Sequence, residues 1–370
     1  MSPKKIALFA DYLSGLGGTE FYIVQLASRL KEKGFDVKIF TGTKPKSNFW
    51  LDILKSKKIE VYYSKYEYTD REDRLPEQKF IPIIEKIFIK WSPDIIHACP
   101  LGKLMLVWLE ESNSNIPIVG TETTTPSTNT LHWYWPDLKE KINKLQAVIS
   151  QCNESNVGVL KYLEYKGKRI IIPHFIPEPQ NRFDLPNKLN LSIGCVSRLS
   201  PEKGLDFLIG AMLPVVKKDR KITLHIYGDG KDKERLDYLI KSLSLTKNVF
   251  MEGIYEPITG IDTVASKHNI FVQPSLFESI PTSVLELLAR KRVIIATKVG
   301  GVPELFKDSS GAILVDRANT YQLSKAITDS IGNLKLQKEL SKNGNELLNK
   351  KYDNKKSLDK YIQLYNEIVN

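Results

Sequence analysis

The sequence predicts an α/β protein made of two doubly wound parallel-sheet domains in tandem. Three observations carry that prediction. A chain of 370 residues exceeds the size at which a single hydrophobic core keeps growing. Short apolar, β-branched runs alternate with amphipathic stretches from end to end, the pattern of parallel sheets covered by helices on both faces. A proline-dense stretch from Ile172 to Asn190, IPHFIPEPQNRFDLPNKLN, has neither periodicity and reads as a linker. The alternation restarts after it, so a first domain over residues 1–175, a linker over 176–190 and a second domain over 191–353 are expected.

In the first half the expected strands are Lys5–Ala10, Asp36–Thr41, Glu60–Tyr63, Asp94–Ala98, Ile116–Gly120, Ala147–Ser150 and Arg169–Ile172, with helices such as Thr19–Lys33 and Phe80–Lys90 between them. In the second half they are Leu191–Val196, Ile222–Tyr227, Val249–Glu252, Ile270–Gln273, Val293–Thr297 and Ala312–Val315. Charged helical segments over Leu334–Lys350 and Asn354–Val369 close the chain. Sheets of this kind bind ligands at the carboxyl ends of their strands.

A hydrophobic content of 42% suffices for two cores. Cys99, Cys152 and Cys195 have no metal-ligand spacing and cannot all pair, which points to a reducing compartment. The opening MSPKKIALFAD has an apolar run only one strand long, so neither a signal peptide nor a membrane span is expected, and a cytoplasmic location follows. A net charge of +11 favours an anionic partner: a nucleotide, a phospholipid surface or nucleic acid. The lysines scatter along solvated faces (KEKG, KSKK, KDKER) with no basic block interleaved with aromatics. Nucleic acid is therefore not expected, while peripheral association with the inner face of a membrane stays open.

The turn DYLSGLGGTEF follows the first strand and opens a helix, where backbone N–H groups can face a phosphate. Glu20 stands where a dinucleotide-binding turn needs its third glycine, and the second strand ends without the acidic residue that holds an adenosine ribose. NAD binding is disfavoured.

Three features of the second half fall at strand ends. In SRLSPEKGLDF, Arg198 and Lys203 precede a helix whose N-terminus is already partly positive, and an anion such as a diphosphate would give two cations a reason to be there. In FESIPTSVLELL, Pro281 suits a first helical position, so Thr282 and Ser283 would offer unpaired N–H groups and hydroxyls, with Glu278 in the loop above. Glu286 is wedged among Val284, Leu285, Leu287 and Leu288 with no basic residue next to it. Such a carboxylate needs a partner: two sugar hydroxyls, or a cation from elsewhere. In ATKVGGVPEL, Gly300 and Gly301 allow close backbone approach to a flat ligand or to a helix start.

The order G-G-x-E, S-R-x-x-x-x-K-G, YGDGKDKERL and E-x7-E followed by V-G-G-V-P-E resembles the retaining GT-B glycosyltransferases of the family 4, or group 1, type, over essentially the whole chain. The resemblance implies two Rossmann-like domains facing across a cleft, with an acceptor held mainly by the first and a nucleotide-sugar donor mainly by the second. It implies no metal ion and no separate cofactor, the nucleotide-sugar being a substrate, with a UDP-sugar preferred over a GDP-sugar, and a C-terminal helix over 354–370 that packs back toward the first domain. By position, Arg198 and Lys203 would grip the diphosphate, with Gly17 and Gly18 approaching it. Glu286 would bind the ribose hydroxyls. Glu278 would hold the transferred sugar and stabilise positive charge at its anomeric carbon, and the Thr282 and Ser283 amides would face diphosphate or sugar. Arg198, Lys203 and Glu278 are thus the expected catalytic residues. The implied reaction retains anomeric configuration, the leaving phosphate oxygen helping to deprotonate a saccharide or lipid-linked acceptor, as in cell-surface polysaccharide or glycoconjugate synthesis.

The chain departs from the family pattern in places. Many members carry a second histidine where Cys99 stands and a sugar-contacting histidine near Thr123, where this chain has Glu122 and Thr123. Arg290-Lys291-Arg292 replaces the usual small residues after E-x7-E. His97 ends its strand and is a candidate acceptor contact as well as a candidate core residue, while His225 reads as structural. The cluster LHWYWPDL, Leu131 to Leu138, suits either a local core or recognition of a saccharide or lipid. Two rival readings share these motifs: a nucleotide-sugar epimerase of the same fold, and a non-catalytic nucleotide-sugar-binding subunit.

Overall fold

The computed structural model describes every residue except 1–3, 14, 16, 68–72, 177, 181, 182, 185–188, 257, 258 and 308. Parts of the expected linker, and Ser14 and Leu16 of the first glycine-rich turn, therefore lie outside the described residues. The chain divides into two compact units, Met1–Phe175 with Asn354–Asn370, and Ile176–Asp353.

In the first unit the strands are β1 (Lys5–Ala10), β2 (Asp36–Thr41), β3 (Glu60–Tyr63), β4 (Ile95–Ala98), β5 (Ile118–Thr121), β6 (Ala147–Ser150) and β7 (Lys168–Ile171). They form one parallel sheet in the order β3-β2-β1-β4-β5-β6-β7. Central β1, KIALFA, is apolar without alternation because helices cover both faces, whereas edge strand β3, EVYY, keeps its ends exposed. Helices α1 (Gly18–Glu32), α2 (Phe49–Ser56), α3 (Leu75–Trp91), α4 (Lys103–Glu111), α5 (Leu138–Lys141) and α6 (Asn153–Lys161) connect them. Helix α3 starts five residues before the expected Phe80: Pro76 fits its first turn, and Pro82 lies on its exposed side, where water can satisfy the freed carbonyl.

The second unit contains β8 (Ser192–Val196), β9 (Thr223–Tyr227), β10 (Val249–Gly253), β11 (Ile270–Gln273), β12 (Val293–Thr297) and β13 (Ile313–Val315). They are parallel in the order β10-β9-β8-β11-β12-β13. Its helices are α7 (Leu205–Lys218), α8 (Lys233–Ser242), α9 (Gly260–Lys267), α10 (Thr282–Ala289), α11 (Val302–Phe306), α12 (Thr320–Ile331) and α13 (Leu334–Lys351). The core gathers Ile193, Cys195, Leu224, Ile226, Val272 and Ile295 from the sheet with Leu208, Met212 and Leu323 from the helices. The strand order reverses between β8 and β11, so the loops that leave their carboxyl ends flank a crevice.

The last helix, α14 (Asn354–Val369), belongs to the first unit. It buries Leu358, Tyr361, Leu364 and Tyr365 at helical spacing. The Tyr361 hydroxyl meets that of Tyr22, and the Tyr365 hydroxyl lies 2.6 Å from His97 Nδ1. All three cysteines are buried and free. Among the described residues no helix is long and apolar enough to cross a membrane.

Candidate active site

The loop that leaves β8 carries Arg198 and then a short 3-10 turn, Pro201–Lys203. Gly204 follows at φ +61°, where a Cβ would lie 2.4 Å from the Pro274 carbonyl oxygen. Only glycine fits this left-handed position against the neighbouring loop. The loop after β11 is tied to the same turn, with the Leu276 N–H donating to the Glu202 carbonyl at 2.8 Å. These contacts set Lys203 Nζ 2.6 Å from Glu278 Oε1.

Glu278 Oε1 also accepts from Ser275 Oγ at 2.8 Å and from Gln273 Nε2 at 3.2 Å. Thr297 Oγ1 donates to the Ser275 carbonyl at 2.6 Å and fixes the loop from β12. On the far side, Gly300 has φ +54°, and a Cβ there would lie 1.9 Å from the Glu278 carbonyl oxygen. The Gly301 N–H donates to the Ser279 carbonyl at 2.6 Å. The paired glycines thus approach the loop that carries Glu278. Arg198 points outward, its side chain 65% exposed and Nη2 3.2 Å from Glu202 Oε1.

Helix α10 begins at Thr282, with Pro281 as the preceding cap at ψ 118° rather than in the first helical position. Thr282 and Ser283 stand half-buried at this start, and Ser283 Oγ donates to Gln273 Oε1 at 3.2 Å. One turn on, Glu286 is 7% exposed, and its carboxylate accepts no hydrogen bond among the described residues. Burial pushes its pKa up to about 7, against the charge of Arg290, which pulls it down. The cation that the sequence reading missed is therefore the C-cap of the same helix, four residues away. Arg198, Lys203, Glu278, Thr282, Ser283 and Glu286 all fall on the loops after β8 and β11 and on the helix that follows.

In the first unit, Gly17 caps α1 and Gly18 opens it, both exposed. Glu20 holds the turn by accepting from the Gly15 N–H at 2.9 Å, while Trp50 Nε1 donates to the Gly15 carbonyl at 2.8 Å. Asp11, after β1, caps α4 by accepting from the N–H groups of Lys103 and Leu104 at 2.9 and 3.0 Å.

His97 is corrected from acceptor contact to core residue. It is fully buried, with Nδ1 on the Tyr365 hydroxyl and Nε2 2.7 Å from Thr121 Oγ1, and burial depresses its pKa to about 3. Glu122 is also buried; its Oε1 accepts from the Thr124 N–H at 2.6 Å and from the Tyr134 hydroxyl at 3.0 Å. Burial raises its pKa, and those hydrogen bonds oppose the shift. Thr123 stands half-buried beside it. The aromatic cluster packs locally: Tyr134 and Trp135 lie against the first unit's core, with the Arg74 guanidinium over the Trp135 ring.

Sequence reading missed Gln273, Ser275, Asp262 and Arg290. A glutamine ending the apolar strand IFVQ was the one available signal for the first.

The model for glycosyl transferases group 1 matches residues 178–347, and that for glycosyltransferase family 4 matches residues 16–177. A poly(ribitol-phosphate) α-N-acetylglucosaminyltransferase of Staphylococcus aureus is 28% identical over 175 residues, 47% of this chain and 35% of that protein. The gpi3 subunit of a phosphatidylinositol N-acetylglucosaminyltransferase of Schizosaccharomyces pombe is 27% identical over 309 residues, 78% of this chain and 64% of that protein. The chain thus spans about a third of the first relative's length and under two thirds of the second's.

Among solved structures, sucrose-phosphate synthase from Thermosynechococcus elongatus superposes with TM-score 0.80 at 19% identity, over 98% of both chains. An Anabaena protein crystallised with UDP and glucose does so with TM-score 0.77 at 18% identity, over 97% of this chain and 98% of that one. These likenesses establish the GT-B fold. With the two family matches together spanning residues 16–347, the chain belongs to the group 1, family 4 type of glycosyltransferases.

Proposed function

We propose that the chain transfers a sugar from a nucleotide-sugar donor to a saccharide or lipid-linked acceptor, with retention of anomeric configuration and without a metal ion. The observation that carries this reading is the grouping of Lys203, Glu278, Ser275 and Gln273 at the sheet's reversal point, beside an open helix start and a Glu286 carboxylate that accepts no hydrogen bond among the described residues.

In this reading Arg198, exposed with Glu202 beside it, and Lys203 stabilise the departing diphosphate, where electrostatic preorganisation counts most. The N–H groups of Thr282 and Ser283 add the positive end of α10. Glu278, which accepts from Lys203, Ser275 and Gln273, interacts with the sugar hydroxyls and the anomeric carbon. The leaving phosphate oxygen takes the acceptor proton as the new bond forms on the same face, so no separate base is needed. Glu286 receives the ribose hydroxyls. Glu122 and Thr123 are the remaining acceptor-side candidates.

A UDP-sugar is favoured because the S. aureus relative is named for N-acetylglucosamine transfer and the Anabaena structure holds UDP. Synthesis of a cell-surface glycoconjugate on the cytoplasmic side fits the lipid-linked acceptor class, and the basic balance suits a protein that works at an anionic membrane surface.

The test is a melting panel with UDP, GDP, ADP and NAD, with and without EDTA, followed by UDP release from UDP-sugars. UDP at ~100 times its dissociation constant adds about 2.7 kcal/mol of stability. An EDTA-insensitive upward shift with UDP is expected, together with turnover that Glu278→Ala reduces by at least ~100-fold. Stabilisation by NAD alone, or by no nucleotide, would sink the reading. UDP binding without turnover would leave a binding subunit.

A further inference from the structure

Glu286 on α10 and Arg290, the C-cap of that helix, stand four residues apart, the spacing at which a glutamate and an arginine ordinarily join. Here they do not. Arg290, 0% exposed, donates through Nε to Asp262 Oδ1 on α9 and through Nη1 to the backbone carbonyl of Glu286 at 2.9 Å. Its Nη2 is buried and has no hydrogen-bond partner among the described residues. Asp262 is held in turn, its Oδ2 accepting from the Gln180 N–H at 3.0 Å.

Two buried, oppositely charged side chains, one on α10 and one at its C-cap, thus leave hydrogen-bonding capacity unused, although neutralising each other would satisfy both. Unmet polar groups in the interior are costly, and their survival asks for a reason. The reason lies in what each interaction occupies. A charge acts through space, whereas a direct guanidinium–carboxylate pair takes up the acceptor oxygens. Arg290 compensates the charge of Glu286 without touching it, and the group that turns the guanidinium aside is Asp262.

We propose that Asp262 is a positioning residue that draws Arg290 away from Glu286, so that the arginine supplies counter-charge while the carboxylate oxygens stay open to the hydroxyls of a bound ribose. The inference rests on the donor-site reading above. Glu286 is faced by Arg290 from the C-cap of its own helix, with Asp262 behind that arginine and Tyr255 contributing from the segment before α9. Without Asp262 the guanidinium closes on Glu286, and a ribose must then break a buried ion pair to bind. The departure at residue 290 from the small residues usual in the family is thereby given a use.

The experiment is calorimetric titration of UDP and 2′-deoxy-UDP into the wild-type chain, Asp262→Ala, and the double variant Asp262→Ala/Arg290→Met. Asp262→Ala should bind UDP at least tenfold more weakly while 2′-deoxy-UDP loses less, so that discrimination between the two sugars shrinks. The double variant has no cation to close on Glu286 and, titrated well above pH 7 so that the carboxylate ionises without the Arg290 counter-charge, should regain discrimination. Loosening of the fold would instead weaken both nucleotides alike, and that result overturns the proposal. So does a folded Asp262→Ala chain whose UDP affinity stays within twofold of wild type. Should Asp262→Ala not fold, Asp262→Asn, which loses the charge and keeps one acceptor oxygen for the Gln180 N–H, is read by the same two criteria. Failure of the wild-type chain to bind UDP overturns the donor-site reading first, and this inference with it.

Discussion

Glu286 shows what a buried carboxylate costs the protein that holds it. Its pKa of about 7 compares with 4.5 for an unburied glutamate, and burial is the larger cause. Between those values the native chain binds more protons than the unfolded one, so stability falls as pH rises from about 4.5 to 7 and stays lowered above it. A shift of this size corresponds to a cost on the order of 3 kcal/mol. Glu286→Gln should therefore melt higher than wild type at pH 8 and alike near pH 4. A lower melting temperature at pH 8 would mean that the carboxylate is a stabilising member of an ion pair. The same substitution should weaken UDP binding, because hydroxyl donors favour the ionised form. For that reason wild-type affinity should rise between pH 6 and pH 8, with a proton released on binding, and the proton count from titrations in two buffers of different ionisation enthalpy measures it.

At the scale of single elements, the loop after β11 depends on its neighbours for its shape. Gly300 occupies a left-handed conformation and sits against the Glu278 carbonyl, so Gly300→Ala must both strain the backbone and push the Glu278 loop. The strain alone is on the order of 1–3 kcal/mol. UDP release should fall at least tenfold, with a lower melting temperature. Unchanged turnover would show that the loop position is not what matters for Glu278. The strands themselves were legible in the sequence, most to within one residue of their observed ends, because short β-branched runs between turn residues leave few alternatives. The candidate donor residues were legible for a related reason, since polar and glycine-rich stretches directly after such strands fall where parallel sheets bind ligands. What escaped were the partners. His97 looked free until α14, 268 residues along the chain, brought Tyr365 to its ring. Glu286 looked uncompensated because its counter-charge was sought next to it rather than one helical turn away at Arg290. Asp262 and the glutamine and serine that hold Glu278 reach their places only through tertiary packing, which one-dimensional periodicity does not encode.

At the scale of the whole molecule the chain enters the second unit at Ile176 and leaves it at Asp353, which makes the first unit discontinuous. Its final piece, α14, contributes Leu358, Tyr361, Leu364 and Tyr365 to the buried interior. Burying four such side chains is worth roughly 6–12 kcal/mol, the same order as the total stability of a domain, about 5–15 kcal/mol. Their loss would also leave the Tyr22 hydroxyl and His97 Nδ1 without their present partners, a further cost for buried polar groups. The buried cluster around Ile193, Val272 and Ile295 of the second unit includes no residue of α14. A chain ending at Asp353 should therefore lose the cooperative unfolding of the first unit while keeping that of the second, and UDP should still raise the melting temperature of what remains. Scanning calorimetry of the full-length and shortened chains, each with and without UDP, separates the outcomes. If the shortened chain unfolds like the full-length one, α14 is dispensable and the tyrosine contacts add little. If the surviving transition no longer responds to UDP, the donor site needs groups from the first unit as much as from the second, and Gly17 and Gly18 become the first residues to substitute.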